Sequence, residues 1–187
     1  MWKRTCIVAA AVYAAFGGAA QAEQPKNIGL SVLGTYETGV FDEGAAEIVA
    51  YDPATQRLFV INADAKTVEI LDITDPATPT LDGTIVVSDD IDDAGGINSV
   101  AVHDGLVGVA VEHDDKQSNG WAAFYDTDGE YINHVGAGPL PDMITITHNG
   151  NYALVANEGE PSDDYTNDPE GSVTVIDLRN GAANAST

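Results

Sequence analysis

Between Val155 and Val173 the chain reads VANEGEPSDDYTNDPEGSV, with six carboxylates, two prolines and few apolar side chains. Asp163, Asp164, Asp168 and Glu170 come at close spacing with Asn167 among them, and Pro161 and Pro169 stiffen the two limbs. A loop of this kind can wrap a calcium ion with side-chain and backbone oxygens, the donors that hard divalent cations prefer. It is not an EF-hand, because the ligand spacing and the central glycine are absent. A solvated loop is the other reading of the same residues. A second acidic stretch, SDDIDDAGGIN, carries Asp89, Asp90, Asp92 and Asp93 ahead of Gly95 and Gly96, and reads as a solvated turn.

The elements that must position these groups are short β-branched runs separated by turn residues, with hardly any helical periodicity. AEIVAYD, RLFVINAD, TVEILDIT and LDGTIVV form one set of four, and NSVAVHD, LVGVAVEHD, WAAFYDTDG and YINHVGA form a second. DMITITHNG, NYALVANEG and GSVTVIDL open a third. The sets recur every ~45 to 50 residues, the spacing of four-stranded propeller blades. The expected fold is therefore all-β, a β-propeller of antiparallel blades at about 30–88, 89–138 and 139–187, with about two and three-quarter blades present. Because a propeller typically needs at least four blades to close, the chain is expected to be an N-terminal piece of a larger one. Asp104-Gly105 and Asn149-Gly150 read as hairpin dipeptides, and Asp52 to Thr55 as a longer equivalent. Asp72, Asp126 and Asp177 each follow an apolar pair near the end of a third strand, where a carboxylate can cap the next turn.

In such a blade the start of strand one and the end of strand two lie on the same face. The starts are Glu47, Asn98 and Asp142. The ends are Asn62 and Asp64, then Glu112, His113 and Asp114, then Asn157, Glu158 and Glu160. All are oxygen or imidazole donors, so a charged rim around a channel mouth is expected. Like charges gathered there repel unless a cation or a basic ligand joins them. Strand ends are also where polar residues ordinarily fall.

Composition limits the partners. Thirty acidic residues stand against seven basic ones, a net charge of -23, so little is present to neutralise phosphate on nucleic acid or an anionic membrane. The acidity suits either a solvated surface in salty surroundings or local clustering for divalent cations. Lys3 and Arg4, the apolar run CIVAAAVYAAFGGAA and Ala20-Gln21-Ala22 follow the order of a secretory signal over residues 1–22, so export to the periplasm, cell surface or medium is expected. The run is too short for a comfortable span. Cys6 is the only cysteine and falls inside this segment, leaving no thiol for a disulfide or a thiolate site in the mature chain.

GTYETGVFDEGAAEIVAYDPATQRLFVINAD, INSVAVHDGLVGVAVE, LPDMITIT and the NEGEPSDDYTNDPEGS segment resemble the choice-of-anchor I domain, a secreted bacterial module also similar to mesenchyme-specific cell-surface glycoproteins. The resemblance implies an extracytoplasmic β-propeller, and some members resemble atypical alkaline phosphatases or phytase-like esterases. The residues themselves show no G-x-S-x-G elbow, and Ser99, Ser162 and Ser172 lack a neighbouring base. His103, His134 and His148 read as surface residues, and only His113 falls on the proposed face. A phosphomonoesterase would work through metal ions that hold phosphate and activate water, with Glu47, Glu112, His113, Asp142, Glu158 and Glu160 as ligands. The expected function is that of an exported, calcium-binding surface scaffold whose partners are divalent cations, and with them phosphate esters or surface polymers.

Overall fold

Alternation of side chains across the strands decides this architecture, because the middle sheet must bury both of its faces. The computed structural model of the protein describes residues 29–41 and 43–187. The signal segment at 1–22 lies outside the described residues. Among the described residues, eleven strands form three antiparallel sheets in chain order. The first holds β1 (Val49–Asp52), β2 (Arg57–Asn62), β3 (Thr67–Asp72) and β4 (Thr80–Val86). The second holds β5 (Ala94–His103), β6 (Leu106–His113), β7 (Asn119–Asp126) and β8 (Tyr131–Pro139). The third holds β9 (Pro141–Ile146), β10 (Tyr152–Asn157) and β11 (Ser172–Asp177). These are the expected strands with shifted ends, the largest shift being at β5. That strand begins at Ala94, so Gly95 and Gly96 belong to it rather than to the acidic loop.

In β6 and β7, Val107, Val109, Val111, Ala123 and Tyr125 point to one side and pack on Phe59, Ile61, Val68, Ile70 and Ile85 of the first sheet. Their neighbours Ala110, Ala122 and Phe124 point to the other side, against Ile144, Ala153, Val155 and Ile176 of the third. Both strands therefore read as nearly continuous apolar runs, the pattern of a sheet buried on two faces. Small residues toward the third sheet leave room for the large ring of Phe124, which is fully buried. Burying such a side chain contributes about 2–3 kcal/mol.

Local polar chemistry sets the turns. The Asp104-Gly105 pair has positive φ at both residues, 47° and 81°, as a tight hairpin turn demands. The equivalent loop of the third sheet is built differently. Gly150 N–H donates to the Thr147 carbonyl at 2.7 Å and only Gly150 of the Asn149-Gly150 pair is left-handed. The expected role of the third-strand aspartates is seen in all three sheets. Asp72 accepts from the N–H of Thr74 at 2.7 Å, Asp126 from Asp128 at 2.9 Å, and Asp177 from Arg179 at 2.9 Å, each two residues on. Between sheets one and two, Arg57 acts as a clamp: it donates to the Thr127 carbonyl at 2.8 Å and pairs with Asp82 and Asp128, each at 2.6 Å.

Phe124→Ala should lower stability by about 3–5 kcal/mol, read as a shift of the urea midpoint. Arg57→Met should cost about 1 kcal/mol, because its partners are solvent-exposed. Hydrogen bonds from the Arg179 side chain, then its backbone N–H, hold the Asp177 carboxyl down at about 2 from an ordinary 3.8. A depressed carboxylate contributes stability above its unfolded value and loses it as pH falls through the folded one. Stability should therefore fall between about pH 4 and pH 2, and Asp177→Asn should flatten that part of the profile.

Candidate functional site

The register of the strands brings one end of each sheet to a common edge. Ala94 at the start of β5 pairs with His113 at the end of β6, and Pro141 at the start of β9 pairs with Asn157 at the end of β10. At the seam of sheets two and three this gathers Asn98, Glu112, Asp142, Glu158 and Glu160 around a cavity of about 210 Å³, lined as well by Leu140 and Lys116. Four of the expected carboxylates thus share one space. The Gly96 N–H donates to Glu112 Oε1 at 2.9 Å, and Asn98 Nδ2 donates to the Pro141 carbonyl at 2.9 Å, which ties the two sheets beside Asp142.

Leu140 was not legible as a site residue. It carries φ of +51° between Pro139 and Pro141, a left-handed backbone that costs a bulky residue about 1–2 kcal/mol. Proline at the next position further narrows its choices. The geometry turns the chain from β8 into β9 and sets the Leu140 carbonyl to accept the Glu158 N–H at 2.9 Å. Strain of this kind collects where surrounding structure over-determines it, often at functional sites.

A wider cleft of about 600 Å³ lies between the connection after β6 and the acidic loop, lined by Asp114, Asp115, Lys116, Gln117, Ser162, Asp163 and Asp164. Gln117 Nε2 donates to the Glu160 carbonyl at 3.3 Å, tying this connection to the start of the acidic loop. Lys116 lines both cavities and is the only basic residue in either lining. Sequence reasoning missed it, although it lies two residues after Asp114 in the chain.

The acidic loop is folded on itself. Its limbs meet at Gly159, whose φ is +66° and where a Cβ would lie 2.6 Å from the backbone of Pro169 and Glu170. At the tip Ser162 N–H donates to the Asn167 carbonyl at 2.7 Å. Asp164 Oδ1 accepts from the Thr166 hydroxyl at 2.8 Å, the Thr166 N–H at 3.1 Å and the Ser162 hydroxyl at 2.9 Å. These bonds, led by that from the Thr166 hydroxyl, lower the Asp164 carboxyl below its ordinary range. Asp163 borders the cleft, whereas Asp168 and Glu170 are exposed on the return limb and line neither cavity.

The remaining expected residues lie outside the linings of both cavities. Glu47 and Asp64 are exposed at the edge of the first sheet, and Glu47 is held there by its N–H to the Ile61 carbonyl at 3.0 Å. Asn62 is buried, with Nδ2 on Glu69 at 2.9 Å and Oδ1 accepting the Ala65 N–H at 3.0 Å. Asn157, 4% exposed, donates to the hydroxyls of Ser172 at 3.1 Å and Thr174 at 3.0 Å, pinning β10 to β11. His113 stacks on Trp121 at 5.3 Å and its Nδ1 accepts the Asp115 N–H at 2.9 Å. His134 is half-buried rather than a plain surface residue. Among the described residues no three His, Cys, Asp or Glu side chains already converge at metal-holding distance, and no helix is long and apolar enough to cross a membrane.

Two four-stranded antiparallel sheets and a three-stranded one, packed face to face with their polar residues at one edge, define a module of β-propeller blades. Solved structures agree on the fold. Hydrazine synthase of Kuenenia stuttgartiensis is 19% identical with a TM-score of 0.54, over 76% of this chain and 36% of that one. A luciferin-regenerating enzyme is 16% identical with a TM-score of 0.54, over 71% of this chain and 45% of its own. The chain thus spans less than half the length of either structure. No curated protein matches it in sequence. The choice-of-anchor I domain profile matches residues 47–187, and the chain belongs to that family, one of surface-associated modules.

Gly159→Ala should separate the limbs of the acidic loop. Limited proteolysis should then cut between residues 160 and 170 faster than in the parent, while the far-UV spectrum of the sheets is retained.

Proposed function

We propose that the protein is an exported, calcium-binding β-propeller module that serves as a surface scaffold. The observation that supports this most is the convergence of Glu112, Asp142, Glu158 and Glu160 from two sheets on one cavity. Carboxylates that line one cavity repel one another, and a divalent cation drawing them together would offset that repulsion while taking the oxygen donors it prefers. Asn98 adds a neutral oxygen, and the acidic loop with Asp163 flanks the approach. The net charge of -23 draws cations toward this surface from a distance and discourages anionic partners. Surface polymers that bind through calcium are the partners this chemistry fits.

Metal-dependent phosphomonoester hydrolysis is the second reading and would draw on the same carboxylates, with metal ions holding phosphate and activating water. With Lys116 as the one basic lining residue, phosphate would have to be bridged almost wholly by the metal.

Calcium that binds only the folded state raises stability by RT ln(1 + [L]/Kd), about 2.7 kcal/mol at a hundredfold excess over Kd. The melting temperature should therefore rise in millimolar calcium and fall back with chelator. Asp142→Asn with Glu158→Gln should abolish the response, while Asp163→Asn with Asp168→Asn should leave most of it. A melting temperature indifferent to calcium and chelator would sink the scaffold reading. Calcium-dependent turnover of a chromogenic phosphomonoester would favour the hydrolase instead.

A further inference from the structure

We propose that two copies of this chain join head to tail, the outer face of the third sheet in each packing on the outer face of the first sheet in the other. The pairing does not rest on calcium binding and uses none of the cavity carboxylates.

The three sheets are equivalent in register. Val49 pairs with Val60, Val100 with Val109 and Ile144 with Val155, each across the first two strands of its sheet. In the second sheet this pair packs toward the first, and in the third it packs toward the second. The first sheet carries the same face outward. Its row Tyr51, Leu58, Leu71 and Leu81 crosses all four strands, and Val49, Tyr51 and Leu81 are 59%, 49% and 51% exposed. The opposite face follows the same rule. Phe59 pairs with Ile70 in the first sheet and both pack on the second, whereas their equivalents in the third sheet, Leu154 paired with Val175, turn outward. Beside them Val173 is 66% exposed and Met143 48%. Each end of the stack therefore presents the counterpart of the face at the other end, continuing an interface the molecule already makes twice. A contact between two different patches yields a ring when its rotation closes. Propellers typically close with four to eight blades, and six is the one multiple of three in that range, so closure falls at two copies.

A second observation points to the same occupant. The third sheet has three strands where the others have four, and the outer edge of β11 carries one bridge, from Asp177 to Ser186. Residues 33–38 have the pattern of a missing fourth strand: Gly34, Tyr36 and Thr38 are half-buried while Leu33, Thr35 and Glu37 are exposed. Among the described residues this segment pairs with no strand. Gly34-Thr35-Tyr36 repeats Gly83-Thr84-Ile85 of β4. Its placement repeats as well. A Cβ on Gly34 would strike the Pro76 and Ala77 carbonyls in the connection from β3 to β4, and a Cβ on Gly129, in the connection from β7 to β8, would lie 3.2 Å from Ile85 Cγ1. The segment thus lies on the first sheet as β4 lies on the second. In the ring it adds to β11 of the other copy, with Gly34 opposite Val175 and Thr35 opposite Thr174, as Gly83 faces Ile70 and Thr84 faces Glu69.

Each chain carries a net charge of -23, so the copies repel and the apolar seams must overcome that repulsion. Association should consequently tighten as salt rises and screens it.

The test is light scattering of the full chain at micromolar concentration in about 0.15 M salt, where twice the mass of one chain is expected. Val175→Asp places a charge in the seam and should raise the dissociation constant about a hundredfold or more, with the far-UV spectrum unchanged. Cross-linking identifies the faces that meet, and carries the test should Val175→Asp not fold. In a Cys6→Ser background, a Thr35→Cys chain mixed with a Thr174→Cys chain should form covalent pairs on oxidation, and neither chain should do so alone. A monomer at every concentration would assign these faces to some other chain and overturn the pairing. So would assemblies larger than two copies, a dimer indifferent to Val175→Asp, or cross-linking of either variant with itself.

Discussion

Everything in this protein depends on sheets packing face to face around a middle sheet that has no solvent side. That constraint leaves β6 and β7 without polar positions in their interiors. Charge and hydrogen-bonding groups are consequently displaced to the strand ends and connections. The concentration of Glu112, Asp142, Glu158 and Glu160 at one edge follows from the same rule that fills the interior with Val, Ala and Phe. Fold and candidate site are in this sense one pattern seen from the side and from the end.

The seams between sheets are held by few but directional contacts. Arg57 reaches from the first sheet to the Thr127 carbonyl and Asp128 of the second. Asn98 reaches from the second to Pro141 of the third. Apolar packing supplies most of the adhesion, but it is tolerant of sliding. These polar contacts fix the register in which one sheet meets the next, and so fix which carboxylates become neighbours.

Most of the strands were legible because β-branched alternation and turn residues are local signals. The Asp72, Asp126 and Asp177 turns were legible for the same reason, since an aspartate bonding two residues ahead needs no distant partner. The shared edge was legible as far as blade topology carries, which placed Glu112, Asp142, Glu158 and Glu160 together. What the sequence did not disclose depends on contacts between distant segments. Asn62 and Asn157 look like rim donors in sequence but are buried struts in the fold. The Asp164 carboxylate is engaged by Ser162 and Thr166 of its own loop. The left-handed backbone of Leu140 leaves no mark in composition or spacing.

The recurrence of one aspartate-closed turn at the same place in all three sheets bears on how such a chain can change over time. Because each turn is closed by a hydrogen bond between residues two apart, a sheet carries that closing bond with it. A copied or deleted sheet would therefore arrive or leave with that turn intact, needing a compatible apolar face on either side and seam contacts of the Arg57 and Asn98 kind. Growth by tandem duplication is chemically easy for a chain organised this way, and the number of blades becomes a quantity that lineages can alter without redesigning the blade.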